Sequence, residues 1–201
     1  MFYGIAQQFR KPSGLLGRFI SNIMSKGTKP AYDILINEMN IQPGEKLLEI
    51  GYGPGVGMRE IFTKANPGFY YGIDYSELMF EKASRLNKTL IDARKAELIL
   101  GDFLSAEIGQ LGFDRVFCSN VVYFWKDLVV PFSKIRSLLK DGGKFHFFME
   151  SKEDLDRQKF TDDAVFNKHS IEKAMADLKL AGFSEVKQFY NRGYFVEAVK
   201  L

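Results

Sequence analysis

Residues Lys46 to Gly57, KLLEIGYGPGVG, decide how the rest of this chain is read. Leu47, Leu48 and Ile50 form the short apolar run of a strand buried on both faces, and Gly51, Gly53, Gly55 and Gly57 follow at every second position. Glycines there allow positive φ and leave no Cβ between the backbone and a ligand. The next residues, Met58 to Lys64, read as the start of a helix. Strand, glycine loop and helix together point to a cofactor pocket at the carboxyl edge of a parallel sheet. The structural alternative is a tight turn serving close strand–helix packing.

The spacing decides which cofactor. The dinucleotide fingerprint G-x-G-x-x-G, counted from Gly51, Gly53 or Gly55, falls on Val56, Met58 or Glu60, and no Gly-Lys-Ser/Thr follows to make a phosphate loop. What remains is E-x-G-x-G-x-G from Glu49 to Gly55, which resembles the first motif of the class I S-adenosylmethionine-dependent methyltransferases. The resemblance implies that Glu49, Gly51, Tyr52, Gly53 and Gly55 hold the cofactor. A carboxylate inside an apolar strand is costly unless paired, and a cationic sulfonium ligand carrying an ammonium group would pair with Glu49.

Three later motifs extend the resemblance over roughly Lys29 to Leu201. Asp74 ends the strand Tyr70-Tyr71-Gly72-Ile73, where a carboxylate can accept hydrogen bonds from both ribose hydroxyls of an adenosine; capping the next helix is compatible with that role. In the family the following residues also line the adenosine, which implies Tyr75, Ser76 and Met79. After Leu98-Ile99-Leu100, the resemblance places Asp102 near the adenine amine and Phe103 against the ring, with a plain turn as the alternative. The strand from Phe113 ends at Ser119-Asn120, and the resemblance runs Asn120 and Val121 past the methionine portion. Tyr123 and Trp125 follow from the loop where the family's substrate approaches the methyl group, although core packing explains aromatic residues there equally well.

The wider pattern alternates strand and helix. Strands are expected at 46–50, 69–73, 97–100, 113–119 and 144–149, with helices at 29–39, 58–64, 76–94 and 126–139. After Glu150 a charged excursion over 152–168 leads to a helix at 170–180 and two strands, 183–189 and 194–200, joined by Asn191-Arg192-Gly193. The expected fold is a Rossmann-like, doubly wound α/β sheet of seven strands, mostly parallel with a C-terminal antiparallel hairpin and helices on both faces. The 201 residues, 46% apolar, suit a single domain. Within it, 1–28 is a basic amphipathic lid or docked helix and 29–201 the cofactor-binding core.

The net charge of +3 divides unevenly. Residues 1–32 hold Arg10, Lys11, Arg18, Lys26 and Lys29 and no acid, so they carry +5 and the remainder carries −2. In this segment Leu15, Leu16, Phe19, Ile20, Ile23 and Met24 recur at helical spacing, with Arg18, Ser21, Asn22, Ser25 and Lys26 on the other side. A lid or docked helix is the favoured reading, with peripheral membrane contact as an alternative. No RNA-binding motif or basic–aromatic array accompanies it, which argues against nucleic acid. The single Cys118 lies in an apolar run, which implies a reducing, cytoplasmic setting, and neither a transmembrane run nor a signal peptide is indicated. Two histidines, one cysteine and scattered carboxylates form no recognisable metal site.

The expected reaction is transfer of a methyl group from S-adenosylmethionine to the O, N or C atom of a small-molecule nucleophile, leaving S-adenosylhomocysteine. In-line displacement mainly needs alignment and exclusion of water. If a base is used, His169 is a better candidate than His146, against a surface or capping role. The loop after the fourth strand lacks the Asn-Pro-Pro-Tyr type sequence of many nucleic-acid and protein methyltransferases, and the nearest likeness is to the ubiquinone and menaquinone methylating group. The alternatives are a noncatalytic module on the same fold and a nicotinamide-dependent oxidoreductase, the latter opposed by the failed fingerprint and the terminal hairpin.

Overall fold

Five strands run parallel: β1 (Lys46–Ile50), β2 (Phe69–Asp74), β3 (Ala96–Leu100), β4 (Phe113–Ser119) and β5 (Leu139–Met149). The hairpin β6 (Ser184–Tyr190) and β7 (Tyr194–Val199) completes one sheet in the order β3-β2-β1-β4-β5-β7-β6, with β7 antiparallel to β5. The structure, a computed structural model, describes residues 2–109 and 112–201. The helices are α1 (Phe2–Arg10), α2 (Gly14–Gly27), α3 (Lys29–Met39), α4 (Val56–Lys64), α5 (Glu77–Leu86), α6 (Lys88–Asp92), α7 (Val129–Leu138), α8 (Lys152–Arg157) and α9 (Ile171–Leu180).

The two-residue period of the central strands sorts the core into two layers. Val116, Cys118, Phe145 and Phe147 face α7 and α9, whereas Phe117, Phe148 and Phe195 join Tyr32, Leu35 and Met58 from α3 and α4. Each fully buried Leu, Ile or Phe in these layers contributes roughly 1.5–3 kcal/mol of transfer free energy. Cys118 is wholly buried, and burial pushes its thiol far above the usual range, as expected of a packing residue.

Several expected boundaries shift for local reasons. The helix expected over 76–94 is two, because Asn87 turns its side-chain amide back to the Gly55 and Ala83 carbonyls at 3.0 and 3.1 Å. Asp141-Gly142-Gly143 lies within β5 as an interruption of its pairing to β4, not before it. The helix expected over 126–139 starts at Val129, preceded by a short 3-10 turn at Val122–Phe124. Helices α1 and α8 lie where the sequence showed no helix.

Helix α2 is also rolled relative to its sequence pattern. Gly17, Ile20 and Ser21 are buried and Met24 half-buried, while Leu15, Leu16, Phe19 and Ile23 face solvent. Ser21, expected on the polar side, instead meets the Lys82 ammonium of α5, which also reaches Asn22 Oδ1 at 3.0 Å. The side chains of Ser25 and Lys26 lie outside the described residues. No helix among the described residues is long and apolar enough to cross a membrane.

Candidate active site

The loops that leave β1, β2, β3 and β4 surround one cleft of about 190 Å³. Its floor is the glycine loop. Gly51 has φ 73°, and a Cβ there would lie 2.5 Å from Val121 Cγ2, so only glycine lets the two loops approach. Gly55, with φ 80°, packs away from the cleft, where a Cβ would sit 2.6 Å from the Asn87 amide and 2.8 Å from Ala83.

Asp74 stands where β2 ends, and is 8% exposed. Its Oδ2 accepts the Gly53 N–H and its Oδ1 the Ser76 N–H, both at 2.9 Å, so the carboxylate ties the glycine loop to the start of α5. Burial raises its pKa, and these N–H donors oppose the rise. The carboxylate has more lone-pair sites than these backbone donors fill, which leaves acceptor capacity for a hydroxyl donor in the cleft. Ser76 is itself buried and off the cleft wall, capping α5 through Oγ to the Met79 N–H at 3.4 Å and donating to the Pro12 carbonyl at 2.8 Å.

Of the other predicted residues, Gly51, Tyr52, Gly53, Tyr75, Met79, Asp102, Phe103, Asn120, Val121 and Trp125 line the cleft. Asp102 is exposed and closes its own turn by accepting the Leu104 N–H at 3.1 Å. Phe103 packs against Trp125 with ring centroids 6.0 Å apart, under the Lys134 ammonium at 5.2 Å. Asn120 has φ 58°, a left-handed conformation uncommon outside glycine that concentrates at functional loops.

Glu49 differs from expectation. It is wholly buried, absent from the cleft wall, and both oxygens accept phenolic hydroxyls, one from Tyr32 and one from Tyr70. The costly strand carboxylate is therefore satisfied inside the protein. Burial raises its pKa to about 7; the two tyrosine hydrogen bonds pull the other way and do not offset it. Tyr32 lines the cleft, so Glu49 touches the site only through that ring.

Tyr123 and His169 also lie behind the wall. The Tyr123 hydroxyl donates to Asn120 Oδ1 at 3.0 Å and accepts the Glu150 N–H, which fixes the Asn120 side chain. His169 is buried with Nε2 donating to the Trp125 carbonyl at 2.9 Å, a contact that holds the Trp125 backbone. His146 faces a separate cavity beside α3 and the β6–β7 hairpin, bonded through Nε2 to Glu197 at 3.1 Å. No cluster of three or more potential metal ligands occurs among the described residues.

A lid or docked helix was expected over residues 1–28, but neither its individual cleft residues nor Phe124 was expected in the wall. Phe9, Arg10, Pro12, Met24 and Thr28 cover the cleft from the N-terminal segment. Tyr75 donates its hydroxyl to the Arg10 carbonyl, the Lys11 ammonium lies 5.5 Å from the Tyr75 ring, and Phe9 stacks on Phe160 at 4.7 Å. No local signal in residues 9–12 announces these contacts, which arise from tertiary packing.

A mostly parallel sheet in this order, with a glycine loop after β1 and a carboxylate at the end of β2, is a Rossmann-like architecture whose carboxyl edge can hold an adenosyl group. Residues 47–143 match the methyltransferase domain family. The chain is 30% identical over 158 residues to the uncharacterized methyltransferase YdaC of Bacillus subtilis (strain 168), covering 78% of this chain and 81% of that one. It is 27% identical over 162 residues to sterol 24-C-methyltransferase erg6 of Aspergillus fumigatus, covering 74% of this chain but 42% of the fungal enzyme. Phosphoethanolamine N-methyltransferase 2 of Haemonchus contortus, solved with S-adenosyl-L-methionine, shares the fold with a TM-score of 0.72 at 18% identity, over 85% of this chain and 52% of that one. The chain belongs to the class I S-adenosylmethionine-dependent methyltransferases, and S-adenosylmethionine is its cofactor.

Proposed function

We propose that this enzyme methylates an apolar small molecule, at an O, N or C atom, in the cleft between the glycine loop and Trp125. The observation that carries the reading is the meeting of two unlike surfaces in one cleft. One is polar, made of the Gly51 and Gly53 backbone with the Asp74 carboxylate; the other is apolar, made of Phe9, Met24, Phe124 and Trp125.

The residues present suit the cofactor. A Cβ on Gly53 would meet nothing within 4 Å, so the loop leaves open space above its backbone. Asp74 has acceptor capacity for two ribose hydroxyls, Asp102 can accept from an adenine amine, and Phe103 supplies a flat apolar wall. Asn120 and Val121 form the side towards the methionine portion, with Tyr123 holding Asn120 in position. When bound, S-adenosylmethionine supplies an electrophilic methyl carbon on a sulfonium that is a good leaving group.

The chain's own share is alignment and dryness. Asp74 and Asp102 are assigned to the cofactor and His169 bonds a backbone carbonyl, so the proposal assigns no general base to these residues. Phe9, Pro12 and Met24 line the cleft from the N-terminal segment, and their apolar surface limits the access of water to the reacting atoms. The sterol methyltransferase relative supports an apolar acceptor. The single buried cysteine supports a cytoplasmic setting.

Titration calorimetry with S-adenosylmethionine and S-adenosylhomocysteine tests the reading, with the fluorescence of Trp125, the sole tryptophan, as a second reporter from inside the cleft. Micromolar binding of both is expected, with a fluorescence change, and Asp74→Ala should weaken it about 30-fold or more by removing hydrogen bonds to an ionised acceptor. Failure of either ligand to bind or to alter the fluorescence sinks the proposal.

A further inference from the structure

Helix α2 presents a second apolar face that no part of the described chain covers. Leu15, Leu16, Phe19 and Ile23 are 85, 49, 65 and 49% exposed, and their spacing gathers them into one arc of the helix. The opposite arc, with Gly17, Ile20 and Ser21, is already docked on the body of the protein. Four large side chains in one arc make a contiguous patch of the kind that marks an interaction surface.

The charge around the patch says what covers it. Every ionised side chain in residues 1–32 is basic, giving +5, against −2 for the rest of the chain. Arg18 lies exposed on α2 beside the patch, and Arg10 and Lys11 are exposed in the segment leading into it. A second copy of the same chain would bring like charge against like charge. Nucleic acid would engage the basic groups and leave the leucines and phenylalanine in water. A surface that is both anionic and apolar at shallow depth satisfies both halves.

We propose that α2 lies along the headgroup region of an anionic lipid bilayer, with Leu15, Leu16, Phe19 and Ile23 inserted and the basic side chains against lipid phosphates. The helix carrying the patch also supplies Met24 to the cleft roof, so the bound enzyme opens its site beside the membrane. This inference rests on exposure and charge, not on the acceptor assigned above.

Vesicle flotation tests it. The protein should float with an equal mixture of phosphatidylcholine and phosphatidylglycerol, and not with phosphatidylcholine alone or with the mixture in high salt. The double variant Leu15→Asp/Phe19→Asp should bind at least tenfold more weakly, and Arg18→Gln about fivefold. Both should melt like the unaltered protein, because these side chains project into solvent. The proposal is overturned by absence of flotation with the anionic mixture, or by flotation that the double variant retains. It is also overturned by a dimer in light scattering that the double variant dissolves, which would assign the patch to a second copy.

Discussion

At Glu49 two effects oppose each other, and magnitude decides. Two phenolic donors favour the carboxylate, but complete burial favours the neutral acid and wins, leaving the pKa near 7, above the ordinary carboxylate value. The native state therefore holds this proton more tightly than the unfolded chain. That stabilisation is fully present below about pH 4 and is lost as pH rises through about 7. Glu49→Gln removes the titration while keeping a hydrogen-bonding group of the same shape. Between about pH 5 and pH 8, the unfolding free energy of the unaltered protein should fall relative to the variant by about 2–3 kcal/mol, measured by denaturant titration at each pH. Equal pH profiles would show that Glu49 is ionised throughout. Asp74 was legible in the sequence because a carboxylate at a strand end has a local signature. The partner of Glu49 was not, because Tyr32 and Tyr70 come from other elements and only the fold brings their hydroxyls to it.

The break between α5 and α6 shows one element supporting another. Asn87 spends its side-chain N–H groups on the carbonyls of Gly55 and Ala83, and so braces the glycine loop from behind. Asn87→Ala should cost about 1–2 kcal/mol of stability by leaving the buried Gly55 carbonyl without this donor, and should weaken S-adenosylhomocysteine binding as the loop loosens. Denaturant midpoints and calorimetry read the two effects separately, and unchanged affinity would confine Asn87 to stability. Strands and long helices could be read here from periodicity and turn residues, as with Lys29–Met39, which is found where expected. The roll of α2 could not, since Leu15 and Ile20 are equally apolar and the choice between them is made by Gly17, which gives close approach to Pro12, and by Lys82, which draws Ser21 inward. Helix α1 was invisible for a related reason. Nine residues without an acidic first turn are weak helix material, and burial of Ala6 with stacking of Phe9 on Phe160 stabilises them.

Over the whole molecule, the parallel βα alternation and the terminal hairpin were legible in the sequence, while the order of the strands and the division of labour across the chain are tertiary matters. The floor of the cleft comes from residues 50–57, 73–79, 101–104 and 119–125, and the roof from residues 9–28. Removal of residues 1–28 should leave a folded sheet with an uncovered site. Far-UV circular dichroism and a cooperative melt should persist, while Trp125 becomes more accessible to a soluble quencher and S-adenosylhomocysteine binds about tenfold more weakly, as expected when about 1.4 kcal/mol of contact is lost. Loss of the cooperative melt would make the segment part of the core.

The last strand bears on a hazard that every open sheet faces. Strand β6 is one of the two edges of the sheet, opposite β3; most of its residues are exposed, and it carries an extra residue between Ser184 and Lys187, with Glu185 at φ 45°. A flat edge of that length would offer a row of unpaired amides and carbonyls to any unfolded or neighbouring chain. The bulge interrupts that row, and Glu185 and Lys187 set charges where an incoming strand would have to lie. A protein that exposes leucines and a phenylalanine on α2 thus blunts the β6 edge of its sheet against seeding β-aggregates.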